Sequence, residues 1–247
     1  MFRFIAPMAL ACVLFGQSLV AHAQDIPIKD GTVVLTPKAN EPTTHVTDEE
    51  MRLIAAFENL PLYVAYVQGQ YDTSHPVHYG RGRVDGCIVG FGYSLWQRKK
   101  DDVLHTLKQV MPEKKARKFL RFVGLGGEVA KKACPDHKAG LPQFTAKESW
   151  DLLRLEVQHR KARVIRKAEE EGVYDKLVSG VLAVLVALDY QTPKCVTRAE
   201  RLWERLANDN FAKAAENIAK CRTPAKSRRE AETKYFKRSL QLAQMAD

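Results

Sequence analysis

Glu58 is the side chain with the clearest chemical potential. It closes a predicted helix, with Phe57 before it and Leu60-Pro61-Leu62 shortly after. A helix end carries partial negative charge, and apolar neighbours disfavour ionisation. Both favour the protonated carboxyl, the form that acts as a general acid. An ordinary solvated helix-end Glu is the alternative. Acid catalysis of bond cleavage by water also needs a group to activate that water. Asp85, just ahead of Gly86, and Asp72 in the preceding loop are the nearby carboxylates. For Asp85 the competing role is that of a turn residue. His75 and His78 share this stretch, where surface histidines in a polar loop need no special role.

The aromatic residues around Glu58 and Asp85 offer flat surfaces for a ligand. Tyr66, Phe91, Tyr93 and Trp96 are the substrate-binding candidates, with Tyr71 and Tyr79 close by. Core packing explains aromatics near a hairpin equally well. Cys134-Pro135-Asp136-His137 lacks the spacing of a zinc cage, so no metal and no cofactor is expected.

These groups need elements to position them. Thr47-Asp48-Glu49-Glu50 reads as a capping box opening a helix over 48–58, and the pattern recurs at Thr145–Glu148, Thr197–Glu200 and Ser227–Glu230. Strands are expected at 62–66 and 84–89, with glycines supplying the turns. Further helices are expected near 99–110, 113–123, 198–207, 211–220 and 228–243. A long helix over 146–171 places Trp150, Leu153, Val157, Val164 and Ala168 on one face. The almost wholly apolar segment 177–188 is too short to span a bilayer and predicts a buried central helix. The fold class is therefore α+β and mostly helical.

Residues 1–23 read as a signal peptide: Arg3, an apolar run to Val20, and Ala21-His22-Ala23 as the cleavage site, with cutting before Gln24. Residues 24–45 form an extended arm, and 46–247 one domain. The chain would reside in the periplasm or be secreted. Four cysteines remain after cleavage, suggesting two disulfides. Three pairings are open; Cys195 with Cys221, which bracket a helix pair, and Cys87 with Cys134 are favoured. The 247 residues carry a formal charge of +10, and the leader holds only Arg3 of it. That charge implies peripheral attraction to anionic surfaces. Nucleic acid is not the expected partner, because the chain is exported and shows no nucleic-acid module.

Several segments, taken in order, resemble the phage-type lysozymes, most closely their pesticin-like branch. They are Phe57-Glu58-Asn59-Leu60-Pro61-Leu62, Cys87-Ile88-Val89-Gly90-Phe91-Gly92-Tyr93-Ser94-Leu95-Trp96-Gln97 and Phe122-Val123-Gly124-Leu125-Gly126-Gly127. Leu177-Val178-Ser179, Leu202–Leu206, Asp209–Ala215 and Arg228-Arg229-Glu230-Ala231-Glu232 continue the series. The resemblance spans about 47–236. It implies a lysozyme-like fold, with a small β-hairpin lobe and a larger helical lobe around a buried central helix. It also implies Glu58 as the general acid facing the hairpin.

Two family positions differ. Ile88 stands where the family carries its catalytic Thr, and Ser94 where the branch carries its catalytic Asp. Ser94 can hydrogen-bond a water but has no basicity near neutral pH. Three functions follow from the resemblance. The first is an exported muramidase that hydrolyses peptidoglycan glycan strands, with Glu58 as acid and Asp85 or another group as base. The second is a lytic transglycosylase needing Glu58 alone. The third is a degenerate protein that binds peptidoglycan or an envelope or secretion-apparatus protein.

Overall fold

The computed structural model describes residues 28–29, 32–33, 44–80, 86–135, 139–221 and 226–245. The predicted leader with its cleavage site, most of the arm, Asp85, and Asp136 and His137 lie outside the described residues. Within the arm, β1 (Ile28–Lys29) and β2 (Thr32–Val33) form a short antiparallel ladder.

The folded body opens with α1 (Asp48–Glu58). The Thr47 hydroxyl accepts from the Glu50 amide, and the Glu50 carboxylate accepts from the Thr47 amide. The expected strand at 62–66 is corrected to a helix, α2 (Leu60–Val67). Asn59 caps it by accepting from the Leu62 amide at 3.2 Å, and Pro61 sits in the first turn, where its missing N–H costs nothing. A Tyr- and Val-rich composition favours strand only where a pleated partner is present. Here the partner is a helix: Tyr63 and Tyr66 both stack on Trp150, with Tyr66 at 4.3 Å between ring centroids.

Five short strands follow: β3 (Ser74–Pro76), β4 (His78–Tyr79), β5 (Cys87–Val89), β6 (Tyr93–Ser94) and, later, β7 (Gln143–Thr145). β4, β5 and β6 make an antiparallel sheet, and β3 pairs with β7. The β5–β6 register sets Ile88 opposite Ser94. Between β6 and β7 come α3 (Lys100–Leu107), α4 (Glu113–Ala116) running on as a 3₁₀ turn over Arg117–Phe122, and α5 (Gly127–Ala133).

The long helix α6 (Ala146–Glu170) starts at a second complete capping box, Thr145 with Glu148. α7 (Ser179–Gln191) is buried from Ser179 to Asp189, as its apolar run predicts. The remaining helices are α8 (Lys194–Thr197), α9 (Glu200–Ala207), α10 (Phe211–Lys220) and α11 (Lys226–Gln244). The other two expected capping boxes are absent. Thr197 ends α8 and donates back to the Pro193 carbonyl at 3.1 Å, and Ser227 lies inside α11. No helix among the described residues is long and apolar enough to cross a membrane.

Two hydrophobic cores result. One gathers α1, α2, α6, α7 and α9–α11 around Trp203 and the α7 side chains. The other lies beneath the sheet, around Phe119, Phe144 and Leu95. α6 serves both: Trp150, Leu153 and Val157 face the first and Leu152 the second. Both favoured disulfides are present. Cys87–Cys134 pins β5 to the end of α5, and Cys195–Cys221 joins α8 to the end of α10.

Candidate functional site

The turn of the β5–β6 hairpin, Gly90-Phe91-Gly92, is gripped from the helical side by four residues. Asn59 Nδ2 donates to the Gly90 carbonyl at 3.4 Å. The Tyr190 hydroxyl, near the end of α7, donates to the Phe91 carbonyl at 2.6 Å. Ser149 of α6 lies against Gly90, and Glu58 against Gly92. A β-carbon on Gly92 would fall 2.5 Å from Glu58 Oε2, and its φ of +86° suits glycine. A larger residue at this position would force the Glu58 carboxylate to move.

Glu58 is only partly screened; 20% of its side chain is exposed. Its surroundings are not wholly apolar, as the sequence alone suggests. Arg228 of α11, almost fully buried, donates from one terminal nitrogen to Glu58 Oε1 and from Nε to Glu232 Oε1 at 2.9 Å. Burial works against the charge of Arg228, but its two carboxylate partners outweigh it and hold the guanidinium above its usual value. The Arg228 guanidinium also lies 5.5 Å from the Phe57 ring, which is 37% exposed. One oxygen of Glu58 is thus held by Arg228, while Oε2 faces the hairpin turn.

Ser94 lies two residues beyond Gly92. Its hydroxyl accepts from the Trp96 amide at 3.4 Å, and its carbonyl accepts from Arg98 Nε at 3.0 Å. Arg98 also donates to Glu156 of α6 at 2.9 Å and spreads over the Tyr93 ring, 4.0 Å from its centroid. Glu156 is 8% exposed and has Arg160 as a second cationic neighbour, at 3.8 Å. Burial raises the Tyr190 phenol well above its usual value, and the charges of Glu58 and then Glu156 push the same way. Tyr190 therefore lies within electrostatic reach of both carboxylates.

The aromatic candidates divide. Phe91 and Tyr93 are each 2% exposed. Phe91 belongs to the helical core and Tyr93 to the core beneath the sheet, so neither ring presents a face to a sugar. Trp96 is half-buried, with its indole against Gly126 and its β-carbon against Gly86. Tyr66 is half-buried between Trp150 and Tyr71, and Tyr71 is 48% exposed. Phe57 is thus the surface-accessible aromatic beside Glu58, whereas Tyr66 and Tyr71 are reached beside Trp150. His75 and His78 pack edge to face at 5.0 Å. Among the described residues no group of three or more His, Cys, Asp or Glu side chains could hold a metal ion.

Recesses of about 640 Å³ along α11, including Lys226, Arg229 and Lys237, and about 460 Å³ at Arg117, Lys118 and Arg121 do not include Glu58. Both are predominantly basic and neither offers a pair of carboxylates. The chemistry is concentrated at the hairpin instead.

Sequence reading alone does not single out Tyr190 or Glu156, nor Arg228 as the partner of Glu58. The Arg228/Glu232 spacing of four residues signals a helical ion pair, but nothing local points from Arg228 to a carboxylate 170 positions earlier. Searches against protein-family models and against curated protein sequences find no match for the chain.

Proposed function

We propose that the protein is an exported muramidase that hydrolyses the glycan strands of peptidoglycan, with Glu58 as general acid. One observation carries this reading: a partly exposed carboxylate closes α1 with one oxygen held by Arg228 and the other directed at the glycine turn of a β-hairpin. The order of motifs resembling phage-type lysozymes supports a lysozyme-like assignment of the two lobes. Two disulfides suit an oxidising compartment such as the periplasm. The basic surface would draw the protein toward the anionic wall.

In this reading the sugar lies along the hairpin, and Phe57, next to Glu58, offers it an apolar face. Glu58 delivers a proton from Oε2 to the glycosidic oxygen as the bond to the anomeric carbon breaks. Arg228 fixes the rotamer of the acid through Oε1, so the proton donor is presented in one orientation. No metal or cofactor enters the reaction.

The pairing of Ile88 with Ser94 favours a second reading. The two positions where the lysozyme-type side chains are missing face each other on adjacent strands, as expected of a hairpin retained for binding glycan or an envelope protein. Digestion of purified peptidoglycan by wild type and Glu58→Gln, with mass spectrometry of the fragments, decides between them. Hydrolysis gives new reducing ends with wild type, and the variant slows their release at least about a hundred-fold. Anhydro ends would indicate transglycosylation. Absence of fragments from folded wild type would leave the binding role.

A further inference from the structure

We infer that Glu156 is the second carboxylate of the site, the base that activates water in place of the acid missing at position 94. This deepens the proposed hydrolysis and rests on it. Three observations converge on the residue. Glu156 is the carboxylate joined to the hairpin beyond Gly92: Arg98 grips it at 2.9 Å and the Ser94 carbonyl at 3.0 Å with the same guanidinium group. It is 8% exposed and flanked by a second cation, Arg160 at 3.8 Å, so two guanidinium groups fix where its carboxylate lies. It also shares Tyr190 with Glu58 as an electrostatic neighbour, and the Tyr190 hydroxyl is bonded to the hairpin turn.

Glu58 meets the hairpin at Gly92, and the Arg98–Glu156 pair meets it at Ser94, so the two acids reach the hairpin at different points. Inversion needs room for a water between its two carboxyl groups. Glu156 takes a proton from that water while the water oxygen bonds to the anomeric carbon. The glycosidic C–O bond breaks, its electron pair goes to the departing oxygen, and Glu58 protonates that oxygen. The product has inverted configuration.

The structural alternative is that Glu156 only ties Arg98, and hence the hairpin, to α6. Sodium azide separates the two roles. With the mature, disulfide-bonded protein on purified peptidoglycan, Glu156→Gln is expected to slow reducing-end release at least about a hundred-fold. Glu156→Asp keeps a charge for Arg98 but withdraws the carboxylate by one methylene, and is expected to lose about a hundred-fold as well. Glu156→Ala with azide is expected to yield a glycosyl azide of inverted configuration, because azide attacks without needing deprotonation. A hairpin tie cannot produce that adduct. Wild-type rates in the Gln or Asp variant, or no azide product from Glu156→Ala, overturn the assignment of Glu156 and leave Glu58 in place. Anhydro ends from wild type do the same, since no water is activated. A folded wild type that releases no fragments overturns the hydrolase reading itself, and Glu156 falls with it.

Discussion

Glu58 and Arg228, 170 residues apart in the chain, form an ion pair that joins the end of α1 to the start of α11. Arg228 is 3% exposed and serves Glu232 as well. Arg228→Met therefore leaves two carboxylates without their shared cation. Removing one member of such a buried arrangement costs about 3–5 kcal/mol, to be read as a lowered denaturation midpoint in urea. Cleavage of peptidoglycan should fall as well, because Glu58 loses the contact that fixes its rotamer. An unchanged midpoint would show that the pair is dispensable for folding.

Gly92 is where the hairpin meets the acid. Gly92→Ala adds a β-carbon 2.5 Å from Glu58 Oε2 at a backbone angle unfavourable to alanine. The expected outcome is a stability loss above about 1 kcal/mol, together with loss of glycan cleavage. Gly140→Ala, also at positive φ but with no atom within 4 Å of the new carbon, is the control: it carries the backbone strain while sparing cleavage.

If Glu156 substitutes for a lost hairpin carboxylate, restoring that carboxylate should make Glu156 redundant. Ile88 and Ser94 are directly opposed, so Ile88→Thr with Ser94→Asp places the two lysozyme-type side chains on neighbouring strands. Introduced into the Glu156→Gln protein, the pair should recover at least about ten-fold of the lost rate, measured as reducing ends released. No recovery, with the fold intact by circular dichroism, would count against the substitution idea.

Lys161 and Glu50 form a pair at 2.6 Å, each side chain 2% exposed, and Lys161 also donates to the His45 carbonyl at 2.6 Å. Glu50 meanwhile completes the capping box of α1. Lys161→Met strands a buried carboxylate and should cost about 3–5 kcal/mol. Adding Glu50→Met should recover part of that loss but not all, because the Thr47 amide loses its carboxylate acceptor in the capping box. Thermal melts of the two single variants and the double variant measure the coupling.

The parts legible from sequence were those with local signals. Thr47 and Thr145 announce α1 and α6, and the apolar run through Leu182 and Leu188 announces α7. The favoured cysteine pairs also appear, with the bracketed helix pair as the signal for Cys195–Cys221. Segment 62–66 was misread because Tyr63 and Tyr66 are equally suited to a strand and to stacking on a helix-borne Trp150. Thr197 and Ser227 carry the capping pattern without the geometry, because their helices begin elsewhere. The environment of Glu58 was the least legible part. Arg228, Tyr190 and the Gly92 backbone reach it only through tertiary packing, and Arg98–Glu156 joins elements 58 residues apart.

Phe91 and Tyr93 root the hairpin in opposite cores, with Gly92 alone between them. Prising the sheet from the helices would have to uproot one aromatic ring, at a cost of roughly 2–3 kcal/mol. The hairpin thus behaves as a rivet rather than a jaw. The meeting of acid and turn is clamped from both sides, and its geometry is inherited from the two cores rather than set by a hinge.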